Sequence, residues 1–492
     1  MPELGTDLRR AMQQIRPPVY SIVDVARRRN RRRRNQRIGS ALLALTIAAA
    51  AVGLVVRAFS AYRERPAGRA ISPRSVERLD LRWHASVDAG ISFPAVADGV
   101  VSVGAFPLGK GSSELLVYPE DCAQRSGQCR PLWRTEIPSL FAGSAVANGM
   151  VYATTGQQGQ PAKLWAFRAT CRTDGGRCGP LWTANLGLGG AHVPVVADGL
   201  VYAGTWVGVE AFPAECRTDG GACTPLWRAE TVLPTWVLTA DDGMVYAGAA
   251  REGKYGVRAA EKGAVYAFPA KCTTPCEPIW SEDSLGGISD LFVDDGRVFV
   301  GTTAGPLSGR PGLYAFSADC IAGGGQCRPL WTADTACCTV GTAGDGMVFV
   351  LDMGKAVYGF RADCRVDGGS CEPTWTASVS PMSGAGEPVF RGGVVFVAGG
   401  LGQETVWAFP AQCRDPCRPV WSGRVGGSVL GVAASQTSLV TTGDAGLVVF
   451  SPDTRPKRRA PPDTPAALYV AIFVLVGLAA LIRARHKGRG LR

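Results

Sequence analysis

Histidine is scarce in this chain: there are three in 492 residues, and only His84 and His192 lie outside the C-terminal tail. No Ser-His-Asp, P-loop or HExxH pattern occurs, so the common hydrolytic, nucleotide-binding and zinc-protease chemistries have no support. None of the 16 cysteines forms a Cys-x-x-Cys motif, which removes a thioredoxin-like redox pair. Aromatic residues are only 8 %, while 63 glycines and 33 prolines are present. That balance suits many short strands joined by turns.

The chain carries +11, but the charge is not spread along it. Residues 1–37 hold 11 Arg against three acids, and residues 483–492 hold five Lys or Arg and no acid. With +8 and +5 in the tails, residues 38–482 sum to −2. A nearly neutral body gives no reason to expect a nucleic-acid partner. The tails flank two charge-free apolar runs, "GSALLALTIAAAAVGLVV" at 39–56 and "AALYVAIFVLVGLAALI" at 466–482. Both lie near the lower limit for spanning a hydrocarbon core of about 30 Å. No small-residue cleavage site follows the first run, and Arg57 interrupts it, so an anchor is expected rather than a signal peptide. The positive-inside bias puts both termini in the cytoplasm and residues 57–465 outside. Membrane lipid is then a partner of both tails and both helices.

Seven times the chain repeats Cys-x-Pro-x-Trp, as in "CGPLW" at 178 and "CEPIW" at 276. The Trp positions 133, 182, 227, 280, 331, 375 and 421 step by 44 to 53 residues. Between them recurs a β-rich run, a Gly turn and a second run, as in "PVVADGLVYAGT" at 194–205. A period of this length with several strands per unit predicts a propeller. Each unit reads as strands A and B around the Asp-Gly turn, strand C ("LYAF"), a cysteine turn, and strand D beginning at Trp. Strand A occurs eight times, but the eighth unit ends at "GLVVFSPDT" without a cysteine turn or Trp. An orphan Trp83 in "LRWHASV" (81–87) supplies the missing strand, so residues 81–87 should pair with 446–451.

The predicted fold class is all-β: an eight-bladed β-propeller of four-stranded antiparallel blades, flanked by two transmembrane helices. Its parts are a basic cytoplasmic tail (1–37), a helix (38–56), a linker (57–79), the extracytoplasmic propeller (80–453), a linker (454–465), a second helix (466–482) and a basic tail (483–492). Both linkers should leave one face of the disc, the face of the A–B and C–D turns. The opposite face, with the B–C and D–A loops, would point away from the membrane. Its longest loop is "GAAREGKYGVRAAEKG" (248–263), a candidate contact loop.

The "VYAGT…VYAF…LW" pattern resembles the pyrroloquinoline-quinone-type (PQQ-type) propeller repeat over roughly residues 80–453. Quinoprotein dehydrogenases share that repeat with the lipoprotein scaffold of bacterial outer-membrane protein assembly. The resemblance implies fold more than function, because the repeat serves enzymes and binding scaffolds alike.

Outside a membrane, disulfides persist. Each cysteine turn offers two ligands where structural zinc wants four, so staples are expected. The pairs are Cys122–Cys129, Cys171–Cys178, Cys216–Cys223, Cys272–Cys276, Cys320–Cys327, Cys364–Cys371 and Cys413–Cys417. Cys337 and Cys338 remain, adjacent and off the turns. They form a vicinal disulfide, stay as thiols, or simply rigidify a loop. The quinoprotein resemblance implies a cofactor role for such a pair, since those enzymes hold their quinone beneath a vicinal disulfide.

Just before the aligned A strands stand Phe93, His192, Trp236, Asp290, Cys337, Cys338 and Glu387. Carboxylates, an imidazole and an indole around one axis would suit a small ligand or cation. A quinoprotein site also needs an Asn beside its calcium ion, and no Asn occupies these positions. The sequence therefore favours a membrane-tethered binding or scaffold module for a protein or small-molecule partner, without resident cofactor or metal. A PQQ- and calcium-dependent oxidoreductase and a cell-surface sensor stay open as alternatives.

Overall fold

Asp98 and Gly99 both adopt left-handed backbone conformations, with φ of 51° and 74°. Asp198 and Gly199 do the same, as a two-residue type I′ hairpin requires. This turn chemistry starts most of the repeats. The computed structural model describes residues 70–452, apart from 108–110, 123–126, 157–160, 189–191, 217–220, 251–261, 304–310, 321–326, 336–339, 353–355 and 380–385. These residues form eight antiparallel sheets, each a blade. Seven have four strands in A-B-C-D order; the first gains a short extra strand, Gly90–Ile91, beside its B strand, Val100–Phe106. The A strands of neighbouring blades touch around the axis, as Gly287–Asp294 does with Thr235–Asp241 and with Val340–Gly344.

Strand D begins at the repeat's Trp in the first seven blades. Each of these indoles packs on the aromatic of the next blade's strand C. Trp133 meets Phe167, Trp182 meets Phe212 and Trp375 meets Phe409, at centroid distances of 5.4 to 6.3 Å. Such pairs contribute about 0.5–1.5 kcal/mol each beyond the area they bury. In all of them but Trp182 the indole N–H then reaches a main-chain oxygen of that neighbour, as Trp133 does to Ala169, Trp227 to Ala270 and Trp331 to Ala362. These acceptors are the last Ala of "AFxAxC". The motif is therefore an interface between blades as much as a strand ending.

All seven cysteine pairs are disulfides, with Cα atoms 5.6 to 6.3 Å apart. They do more than close a turn. The amide of every second cysteine donates to the residue just after the previous blade's Trp, for example Cys129 to His84 and Cys417 to Thr376. In four of the five seven-residue turns the reverse bond runs from that residue to a backbone carbonyl, as from Arg134 to Gly176; residues 321–326 of the fifth lie outside the described residues. The two short turns lack this carbonyl and use a side chain instead. Thr274 Oγ1 accepts from the Arg228 amide at 3.2 Å, and Asp415 Oδ1 from the Thr376 amide at 2.8 Å. Each staple thus holds a docking surface for the neighbouring outer strand in shape.

Leu79–Ala85 completes the eighth blade by pairing with Gly446–Pro452, with Trp83 opposite Val449. The strand starts two residues before the predicted stretch. Of the predicted 57–79 linker, residues 70–79 pack into the disc. Ile71, Val76 and Leu79 are buried in a cluster with Phe396, Leu439 and Phe450, between blades seven and eight. The Ile71 amide donates to Gln436, and Trp421 donates to Leu79 O at 3.0 Å. This segment fills the place of the cysteine turn that blade eight lacks.

Candidate functional site

The two faces of the disc differ. On one, the A–B and C–D turns meet: the amide of Ala169 donates to Gly149 O, and Ala214, Ala270 and Ala411 repeat the bond in their blades. The described chain enters beside the A–B turns of blades seven and eight, at Ile71, and leaves at Pro452, opposite Leu79, on this same face. The other face carries the B–C and D–A loops.

Ten large apolar side chains are exposed among the described residues, and six belong to that second face. Phe93, Leu140, Val193 and Val232 stand in D–A connections, and Val207 and Leu401 in B–C turns. Val232 is 89 % exposed, although the repeat offers no structural need for an aliphatic residue there. Apart from Phe93, the sequence reading missed these residues. Their only signal was Val or Leu at a turn position, as in "WVG" (206–208) and "TVLP" (231–234).

The predicted mouth residues separate into three groups. His192 and Trp236 come together, with ring centroids 4.7 Å apart and planes tilted by 55°. Both are tied to the fold: Thr154 Oγ1 donates to His192 O at 2.6 Å, and Trp236 Nε1 to Ala250 O at 2.6 Å. Phe93 lies instead over Gly431 and Gly386, beside the exposed Glu387. A Cβ on Gly431 would fall 2.6 Å from the Phe93 ring, so only glycine fits beneath it. Asp290 is buried at 3 % exposure, where its two carboxylate oxygens accept the amides of Leu291 (2.8 Å) and Gly341 (2.7 Å). It joins blade five to blade six. Cys337, Cys338 and most of the 248–263 loop lie outside the described residues.

In fold, the chain resembles BamB from Moraxella catarrhalis. The likeness covers 76 % of this chain and 99 % of that one, at 15 % identity and a TM-score of 0.52. A computationally designed protein, Ika8, is similar over 76 % of this chain and all of its own length, at 11 % identity and a TM-score of 0.53. At such identities the shared feature is the propeller itself. No protein-family model and no curated protein matches the chain.

The described residues hold no group of three or more His, Cys, Asp or Glu placed to bind a metal ion. Burial raises the hydroxyls of Tyr152, Tyr202 and Tyr246 to about 12, so these strand-B tyrosines stay neutral within the blades. Glu210 stands at a strand-C position where other blades carry Leu116, Trp165, Tyr266 or Trp407. It is 6 % exposed and meets Arg228 Nε at 3.3 Å, and burial pushes its carboxyl upward against the pull of that guanidinium. On the turn face, burial together with Asp295, Asp241 and Asp345 raises the carboxyl of Asp294.

Proposed function

We propose that this protein is a membrane-tethered extracytoplasmic propeller that binds a protein partner across its B–C and D–A face. The observation that carries the reading is the opposition of two features. The described chain enters at Ile71, beside the A–B turns of blades seven and eight, and leaves at Pro452 on the same face, while six of the ten exposed large apolar side chains lie on the opposite face. Exposed apolar groups concentrated on one face mark interaction sites when they are not scattered singly. The seven disulfides support an oxidising compartment. The apolar runs at 39–56 and 466–482 would form the spans; among the described residues, no helix is long and apolar enough to cross a membrane.

Two measurements test this. Reporters fused at either terminus should be cytoplasmic, and a reporter inserted near Arg258 should be outside. A photocrosslinker at Val207 or Val232 should capture a partner that the same group at Val366, on the turn face, does not. Val232→Asp should abolish that capture without lowering stability. Equal capture from both faces would refute the binding-face assignment.

A quinone-dependent oxidoreductase fits the described residues less well. Calcium chemistry asks for free carboxylate oxygens, but those of Asp290 already hold two backbone amides. PQQ added with calcium should therefore leave the protein's absorbance and thermal midpoint unchanged.

A further inference from the structure

We infer that the turn face of blades seven and eight carries an arginine collar that docks on anionic lipid headgroups beside the spans. Placement of the disc next to a bilayer comes from the two-span reading proposed above; the collar itself is a feature of the folded disc. Arg74 and Arg78 lie on the segment that replaces the missing cysteine turn. Arg391 precedes the Gly392–Gly393 turn, and Arg414 and Arg418 flank the Cys413–Cys417 staple. The fold holds these pieces together. A Cβ on Gly392 would meet Ile71 O at 2.2 Å, the Ala411 amide donates to Gly393 O, and Trp421 donates to Leu79 O.

All five guanidiniums are on exposed residues, and none forms an ion pair with a described carboxylate. Elsewhere on the turn face both kinds occur: Arg82 pairs with Asp121, Arg172 with Asp174, Arg361 with Asp363 and Arg365 with Asp367, while Arg130 and Arg328, at the position of Arg418, pair with no described carboxylate. At the collar five such arginines stand on adjoining segments, where the described chain begins and ends. Within the collar the acids are Glu77, Asp80 and Asp415, and Asp415 is engaged by the Thr376 amide.

The flanking sequences have the same sign. Residues 57–69 carry four Arg against Glu64, and residues 453–465 carry three Arg and Lys457 against Asp453 and Asp463. Counting 57–80, Arg391, 411–418 and 453–465, the net charge is +7, although residues 38–482 as a whole sum to −2. The rest of the disc and the spans are thus at −9. Five arginines against three acids on the folded disc, continued in sequence by two flanking segments of the same sign, are complementary to an anionic surface. Near such a surface each Lys or Arg adds about 1 kcal/mol of attraction, and the effect fades within a Debye length. At that range only the turn face can take part.

The test uses the full chain in nanodiscs of phosphatidylcholine, with and without phosphatidylglycerol. Hydrogen exchange is followed in peptides covering 71–78 and 411–418. Expected is slower exchange in the anionic discs, erased by high salt and by Gln at Arg74, Arg78, Arg391, Arg414 and Arg418. Each single Arg→Gln change should reduce the slowing about fivefold. The thermal midpoint of the variants should match wild type, because all five side chains are exposed and unpaired. Equal exchange in both discs overturns the inference. So does equal slowing by soluble inorganic phosphate in neutral discs, which would assign the collar to a dissolved anion. Failure of the two-span reading shows separately, as full alkaline extraction of the chain from membranes. In that event flotation with phosphatidylglycerol vesicles decides: flotation lost in the Arg→Gln variants supports the collar, and its absence in wild type refutes it.

Discussion

The indole of Trp83 donates to the main-chain oxygen of Glu120 at 2.8 Å, while the Glu120 carboxylate accepts the hydroxyls of Ser435 and Thr437. One residue of blade one therefore holds both the N-terminal strand and the A–B turn of blade eight. The other cysteine turns have Ala at this position. A carboxylate at the seam does for ring closure what no Ala could.

Glu120→Ala should consequently cost about 1–3 kcal/mol, the penalty for stranding two hydroxyls and losing a charge-assisted pair. Glu120→Gln should recover part of it. Urea unfolding read by tryptophan fluorescence measures the difference, and a loss under about 0.5 kcal/mol would mean that closure does not depend on this carboxylate.

The indole ladder has one break. The Trp182 N–H has no acceptor among the described residues, and the equivalent oxygen, Ala214 O, accepts Tyr152 instead at 3.1 Å. Trp133→Phe and Trp182→Phe lose similar ring area, but only the first loses a hydrogen bond. The first should be the more destabilising by about 1 kcal/mol. Equal losses would show that the ladder's hydrogen bonds add nothing beyond packing.

Asp415→Ala removes the side-chain acceptor that the four-residue turn uses in place of a carbonyl. The Thr376 amide should then exchange faster by about fivefold, for a bond of roughly 1 kcal/mol. The Cys413–Cys417 bridge should stay intact on non-reducing peptide mapping. Unchanged exchange at Thr376 would mean that the bond to Asp415 is not formed in solution.

Glu210 makes a pH-dependent contribution whose sign follows from burial. Its folded carboxyl binds a proton more readily than the unfolded one. Stability from this group is therefore fullest in acid and falls as pH rises from the unfolded carboxylate range through the raised folded value. Glu210→Gln should raise the thermal midpoint at neutral pH and leave it unchanged in acid. An equal gain at both pH values would point to packing rather than charge.

Asp290→Ala should cost stability, by about 2–3 kcal/mol, because two buried amides lose their acceptor. Alanine there cannot serve as a clean probe of ligand binding. Asp290→Asn keeps the acceptor oxygen of one bond and should retain more of the fold, as thermal melts would record.

The blade count and ring closure were legible because a repeat displays its own omissions. A unit ending at Phe450 without Trp, and a Trp83 without a unit, could only be joined. The staples were legible from the spacing of the cysteines and from the two ligands that each turn offers. The segment around Ile71 and Val76 was not, since ten residues without periodicity read as a linker. Its role depends on a gap between blades seven and eight that exists only in three dimensions. The mouth was legible as a position and not as a site. Alignment found Asp290 in register with His192 and Trp236, but register does not say whether a carboxylate faces an axis or a neighbour's amides. Thr274 and Asp415 escaped for a similar reason, since a shorter turn announces a missing carbonyl only once the adjoining blade is in place.

The closing strand also sets an order of events. Leu79 and Pro452 are partners across one ladder and 373 positions apart in the chain. Synthesis delivers Leu79–Ala85 before any of the blades and their last partner after all of them. The first strand made is the last to be paired. Until residue 452 has emerged, Leu79–Ala85 lacks its ladder partner, and the nascent disc is an open arc. A strand supplied by another copy of the chain could close that arc equally well. Delivery of both ends to the same place, by whatever holds the segments before 70 and after 452, would favour closure within one molecule.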